Sequence, residues 1–319
     1  MHAAMRFTFR RAAWICWLIA MTGSARALPT PTFAKVPYGP AAEQILDVWL
    51  AEGRGPAPLV VCFHSGAWLG GDPAEVGIMG LEDFLKAGIS VASVDFRTIT
   101  AARKSGIEPP VKWPMDDAAR ALQFIRSKAT QWRVDKTRIG AEGRSSGGTM
   151  ALWLALHDEM ADARSSDPVA RESTRVLCAG TVDAQTTLDP AQMQKWIPNA
   201  SYGGHAFGFF GPPGTDERRS PTADFDAFLA ARDRIVPWIH EYSPVALVSR
   251  DDPPLYLYYG SVPAPVGKGQ ADPLHSAVFG LQLKEMLETM NVEVQVKYPG
   301  APPTHDFDQV EFLIRLLKK

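Results

Sequence analysis

Apolar residues recur along this chain in two alternating rhythms. Short runs at Pro58–His64, Ile89–Asp95, Arg138–Ala141, Arg175–Val182, Pro254–Gly260 and Val292–Tyr298 read as strands buried on both faces of a sheet. Between them, apolar residues fall at helical spacing. Leu81–Ala87 reads as one helix, and a longer one opened by Pro114 carries Ala118, Leu122, Ile125, Ala129 and Trp132 on one face. Later helices carry Phe279, Leu283, Met286, Leu287 and Met290, and then Val310, Leu313, Ile314 and Leu317. Two short strands around Phe33–Pro37 and Ile45–Leu50 come first. Thr149–Leu156 is apolar nearly all round, as a helix buried beneath a site would be. The alternation predicts an α/β fold with a mostly parallel central sheet and helices on both faces. From about 184 to 250 the rhythm fails, and Trp196, Tyr202, Phe207, Phe210, Phe228 and Trp238 crowd in. That stretch predicts a cap-like insertion over the C-terminal edge of the sheet, forming part of a pocket wall.

At 319 residues, 46% hydrophobic and 21% charged, the chain can bury one large core without a metal or disulfide staple. A single domain over 28–319 is expected. Residues 1–27 read as a secretory signal peptide: Arg6, Arg10 and Arg11 precede an apolar run from Ala12 to Met21, and Ala25-Arg26-Ala27 offers small residues for cleavage. The apolar run is too short for a stable membrane anchor, and a secreted or periplasmic protein is implied. Loss of Arg6, Arg10, Arg11 and Arg26 would take the net charge from −2 to about −6. A mildly acidic chain without a basic stripe lacks the footprint of a nucleic-acid binder. Cys62 and Cys178 sit in separate apolar runs with a strand expected between them, so both read as small buried hydrophobes.

The chemistry centres on Gly143-Arg144-Ser145-Ser146-Gly147, which fits G-x-S-x-G. In that pattern a serine is held on a sharp turn between strand and helix, its hydroxyl raised above a parallel sheet. Ligand crevices in such sheets lie beyond the C-terminal ends of the strands. That rule gathers Ser145, the Ser65–Trp68 loop, Asp183, Asp272 and His305, and leaves Asp251 and Asp252 at the opposite edge. A serine needs a base to take its proton, and histidine has the suitable pKa. His305, after the last strand, is the expected base, with His275 as its rival. Asp272 is the expected acid behind the histidine and Asp183 the alternative. Oxyanion donors are expected from the backbone of Gly66, Ala67 and Ser146. His64 reads as a brace for its loop. His157, His205 and His240 show no ligand spacing, so no metal is expected.

The run Val61-Cys62-Phe63-His64-Ser65-Gly66-Ala67-Trp68, then Gly143–Gly148, then Asp252-Pro253-Pro254-Leu255 and the late His305 resembles the hormone-sensitive-lipase-like and feruloyl-esterase-like branch of the α/β-hydrolase superfamily. The resemblance covers nearly the whole mature chain. It implies an α/β-hydrolase fold and carboxylic ester hydrolysis through a Ser, His and Asp triad without a cofactor. Three departures stand out. Ser65 and Ala67 replace glycines of the oxyanion loop, Ser146 replaces an alanine, and Ser261–Pro265 occupies the place of the usual acid. Two readings follow. One is a secreted serine esterase acting on acyl or aryl esters, small or saccharide-linked, including ester decorations of polysaccharides. The other is a hydrolase-fold binding protein with impaired catalysis.

Overall fold

The computed structural model describes residues 28–53, 55–77, 79–211, 224–303 and 308–319. The signal-peptide reading and His305 lie outside them.

Eight strands form one sheet: β1 (Phe33–Pro37), β2 (Ile45–Trp49), β3 (Ala57–Phe63), β4 (Ser90–Val94), β5 (Val134–Arg144), β6 (Cys178–Val182), β7 (Leu255–Tyr258) and β8 (Val294–Lys297). Their order is β1-β2-β4-β3-β5-β6-β7-β8. Only the β1–β2 and β2–β4 pairs are antiparallel; from β4 to β8 the sheet is parallel. This is the mostly parallel sheet that the apolar runs predict.

The helices are α1 (Leu81–Lys86), α2 (Ile99–Lys104), α3 (Lys112–Ser127), α4 (Ala129–Trp132), α5 (Ser146–Leu156), α6 (Pro190–Trp196), α7 (Phe225–Ala230), α8 (Val236–Tyr242), α9 (Val278–Thr289) and α10 (Gln309–Leu317). Side chains alternate across each strand. Val60 and Cys62 therefore meet α1 and α10, while Leu59, Val61 and Phe63 meet α3, α5 and α9. All eleven residues of α5 are buried. Its uniform apolarity is thus that of a helix with no solvent face. An Asp308–Glu311 capping box opens α10, with Glu311 N–H donating to Asp308 at 3.0 Å and Asp308 N–H to Glu311 at 3.2 Å.

The single long helix read from Pro114 through Trp132 is two. The Lys128 N–H bonds back to Phe124 and Ile125 and closes α3. Arg133, at φ 57°, then ends α4 and turns the chain into β5. Ala129 and Trp132 still join the same core, so the apolar period survives the break. Cys62 and Cys178 are free and buried, with β5 between their strands. Some polar core residues are not marked by the sequence pattern, among them Asp117. Fully buried on α3, it accepts from Gln44 Nε2 at 2.7 Å and from the Arg97 guanidinium at 2.6 Å.

Candidate active site

β5 runs straight into the turn that carries Ser145. Its last residues pair with both neighbours, Gly143 with Phe63 and Arg144 with Val182. α5 begins one residue after the serine. Ser145 has φ 51° and ψ −121°, a conformation that costs an L-residue of order 1–3 kcal/mol and persists only where its surroundings enforce it. Enforcement comes from the flanks. The Ser145 N–H is held by Val182 O at 2.8 Å. The backbone crowds so closely that a Cβ on Gly143 would lie 2.3 Å from Gly147 O, and one on Gly147 2.1 Å from Phe63 O. The sharp turn expected of G-x-S-x-G is therefore present, and Ser145 stands half-buried at the C-terminal edge of the sheet.

Across from it, the loop after β3 turns through Gly66 at φ 120°, Ala67 at 54° and Trp68 at 57°. Gly66 has no room for a side chain, since a Cβ would meet Gly70 O at 1.9 Å. Ala67 takes the left-handed backbone without glycine's freedom, at a cost of about 1–2 kcal/mol. Other groups hold the loop in place. Glu75 accepts the Ser65 N–H at 2.6 Å and its hydroxyl at 3.0 Å. His64 stacks on Phe96 and meets Asp95 at 3.3 Å, bracing the loop as expected. His205 Nε2 lies 3.2 Å from Ala67 O; a carbonyl only accepts, so that nitrogen carries the proton. Ser146 is the first residue of α5, and the first N–H groups of a helix have no partner within it. Gly66, Ala67 and Ser145 line one cleft of about 330 Å³ with Ser65, Arg144, Tyr202, Leu274 and His275.

The imidazole against Ser145 is that of His275, with Nε2 3.2 Å from Oγ. Its Nδ1 lies 3.2 Å from Asp272 Oδ2. A carboxylate only accepts, so the pair places the proton on Nδ1 and leaves the Nε2 lone pair facing the serine hydroxyl. Asp272 and His275 share one tight turn. Asp272 Oδ1 also takes the N–H groups of Leu274 and His275, both at 3.2 Å. Gln185, wholly buried, ties that turn to the core by donating to Leu274 O at 2.6 Å. Ser145, Asp272 and His275 follow one another along the chain in the expected order, with only two residues between the last two. Asp272-Pro273-Leu274-His275 was the available signal, because an aspartate before a Pro-led turn caps the N–H groups two and three residues on.

Asp183 has other company. At φ 54° it accepts the Gly260 N–H at 3.0 Å and sits 3.9 Å from Arg144 Nε. Arg144 Nη1 in turn lies 3.6 Å from Glu75. Among the described residues, this chain of charges joins the loop after β3 to the ends of β6 and β7. Nothing in the sequence pattern marked Glu75, which lies in a 3-10 turn at Pro73–Gly77. Beneath the turn, Glu142 is wholly buried, with Cys62 Sγ and Gln309 Nε2 each 3.1 Å from one of its carboxylate oxygens. Burial pushes its pKa up to about 8.

A family model described as BD-FAE matches residues 46–278. Esterase LipC of Mycobacterium tuberculosis is 24% identical over 238 residues, which are 71% of this chain and 50% of the relative. The chain thus spans about half the length of that curated relative. A truncated form of a carbohydrate esterase from gut microbiota superposes with TM-score 0.63 at 17% identity, covering 92% of this chain and 99% of that one. An acetyl ester-xyloside bifunctional hydrolase from Caldicellulosiruptor lactoaceticus gives 0.57 at 19% identity, covering 85% of each chain. These likenesses show the α/β-hydrolase fold.

Proposed function

The chain belongs to the BD-FAE family, and on that footing we propose that it is a serine esterase with Ser145 as nucleophile, His275 as base and Asp272 as the acid that orients it. The observation that carries this reading is the unbroken contact from Ser145 Oγ to His275 Nε2 and from His275 Nδ1 to Asp272. His275 takes the serine proton as Oγ attacks the ester carbonyl. The tetrahedral oxyanion is met by backbone N–H groups of Gly66, Ala67 and Ser146, each worth about 3–4 kcal/mol. The imidazolium then protonates the leaving alcohol, and the same base activates water against the acyl-enzyme. Asp272 stabilises the imidazolium and holds its tautomer. No cofactor enters these steps.

The substrates in this reading are acyl or aryl esters, including those that decorate polysaccharides. Two of the fold neighbours, a carbohydrate esterase and an acetyl ester-xyloside hydrolase, support that choice. Export to the periplasm or medium rests on Arg6, Arg10 and Arg11, the apolar run after them and Ala25-Arg26-Ala27. Among the described residues no helix is long and apolar enough to cross a membrane. The test is turnover of nitrophenyl acetate by the purified protein beside Ser145→Ala. Turnover lost in the variant supports the reading, and turnover absent from the wild type or kept by the variant overturns it.

A further inference from the structure

The aromatic-rich insertion between β6 and β7 meets the loop after β3 through His205. This residue lies in a 3-10 turn, Gly204–Phe207, and is only 2% exposed. Its ring packs against Trp68 at 5.8 Å and edge-on against Tyr202 at 4.9 Å, and its Nε2–H donates to Ala67 O at 3.2 Å. The turn that carries it is anchored in its own right. Left-handed glycines bound it, Gly203 at φ 94° and Gly208 at φ 88°, and Ala206 O accepts the Val111 N–H at 3.0 Å just before α3.

What the imidazole holds is strained. Gly66 O accepts the Leu69 N–H at 2.9 Å, and the two residues enclosed, Ala67 and Trp68, both have left-handed backbone, which side chains with a Cβ disfavour. All three carbonyls of this turn are engaged. Leu69 holds Gly66 O, the Ile99 N–H holds Trp68 O at 2.9 Å, and His205 holds Ala67 O. Two of these donors are backbone; the third is a side chain from the insertion. In one helical turn the N–H groups face one way and the C=O groups the other. Rotation of the Ala67–Trp68 peptide would relieve Trp68, but it would also carry Ala67 O round to the side of the N–H groups. On the esterase reading, on which this inference rests, that side meets the oxyanion, and a carbonyl dipole there would oppose the developing charge. We infer that His205 is a positioning residue for ester hydrolysis: by holding Ala67 O it keeps the oxyanion loop in its donating conformation, so the insertion acts on kcat and is more than a pocket wall.

The test compares His205→Phe, His205→Asn and His205→Gln on nitrophenyl acetate. Phenylalanine keeps the ring contacts and donates nothing, asparagine is too short to reach Ala67 O, and glutamine can place an Nε2–H where the imidazole has one. His205→Phe and His205→Asn are expected to lower kcat by about 10- to 100-fold with KM within about 2-fold of wild type, and His205→Gln to recover most of the loss. Affinity for a trifluoromethyl ketone should fall by the same factor as kcat. Its carbonyl carbon takes the Ser145 oxygen, the serine proton passes to the imidazole, and the ketone oxygen becomes an oxyanion in the same place. Equal losses in all three variants, a loss confined to KM, or a lowered kcat with unchanged ketone affinity would overturn the assignment. Should His205→Phe fail to fold, the Asn and Gln pair decides. Turnover by wild-type protein that survives Ser145→Ala would sink the esterase reading instead, whatever the His205 variants do.

Discussion

Glu142→Gln should free the protein from a pH-dependent loss of stability. The carboxyl is wholly enclosed between β3 and α10, and burial raises its pKa from 4.5 to about 8, although its bonds with Cys62 and Gln309 pull the other way. The folded protein therefore holds this proton more tightly than the unfolded chain does. The stabilisation is fully present below about pH 4.5 and is lost as pH rises through about 8. At 1.36 kcal/mol per pH unit the whole interval corresponds to about 5 kcal/mol, of which roughly 3 kcal/mol has gone by pH 7. Glutamine is neutral throughout, and its amide can accept from Gln309 and donate to the Cys62 sulfur. Thermal unfolding at pH 5 should find the two proteins within a degree or two. At pH 8 the variant should melt several degrees higher. Parallel pH dependences would refute the reasoning, because they would show that Glu142 does not titrate with folding in this range.

Other substitutions probe the site. Asp272→Asn should lower kcat on nitrophenyl acetate by about 100-fold or more by removing the imidazole's orienting charge, while Asp183→Asn should cost less than about 10-fold; the opposite ranking would make Asp183 the acid. Glu75→Ala should lower kcat by about 10- to 100-fold with little change in KM, because the oxyanion loop loses the group that fixes Ser65. Glu75→Gln, which can still accept the Ser65 N–H, should recover most of that loss, and equal defects in the two variants would show that charge rather than loop position matters.

What could be read in the sequence was what local pattern dictates. The parallel strands announce themselves because a strand buried on both faces must be apolar throughout, and Ser145 because its turn tolerates little but glycine at Gly143 and Gly147. The pairing of the serine with an imidazole was less accessible. Topology favoured His305 after the last strand, whereas among the described residues the contact with Ser145 is made by His275, brought up by a turn that Gln185 anchors from just beyond the end of β6. That placement depends on a hydrogen bond spanning 89 residues, which no local spacing reveals. Glu75, Asp117 and Glu142 were missed for a related reason. Each is a charged residue whose partners, Ser65 and Arg144, Gln44 and Arg97, or Cys62 and Gln309, are brought together by the tertiary fold.

The relay from Ser145 through His275 to Asp272 is tested most directly by the rate at which a fluorophosphonate labels Ser145 in wild-type protein, His275→Ala and His305→Ala, with Ser145→Ala as the blank. Labelling needs the serine to be activated but needs no particular substrate. His275→Ala should slow labelling by orders of magnitude while His305→Ala labels at close to the wild-type rate. Fast labelling of His275→Ala together with loss in His305→Ala would contradict the assignment and make His305 the base.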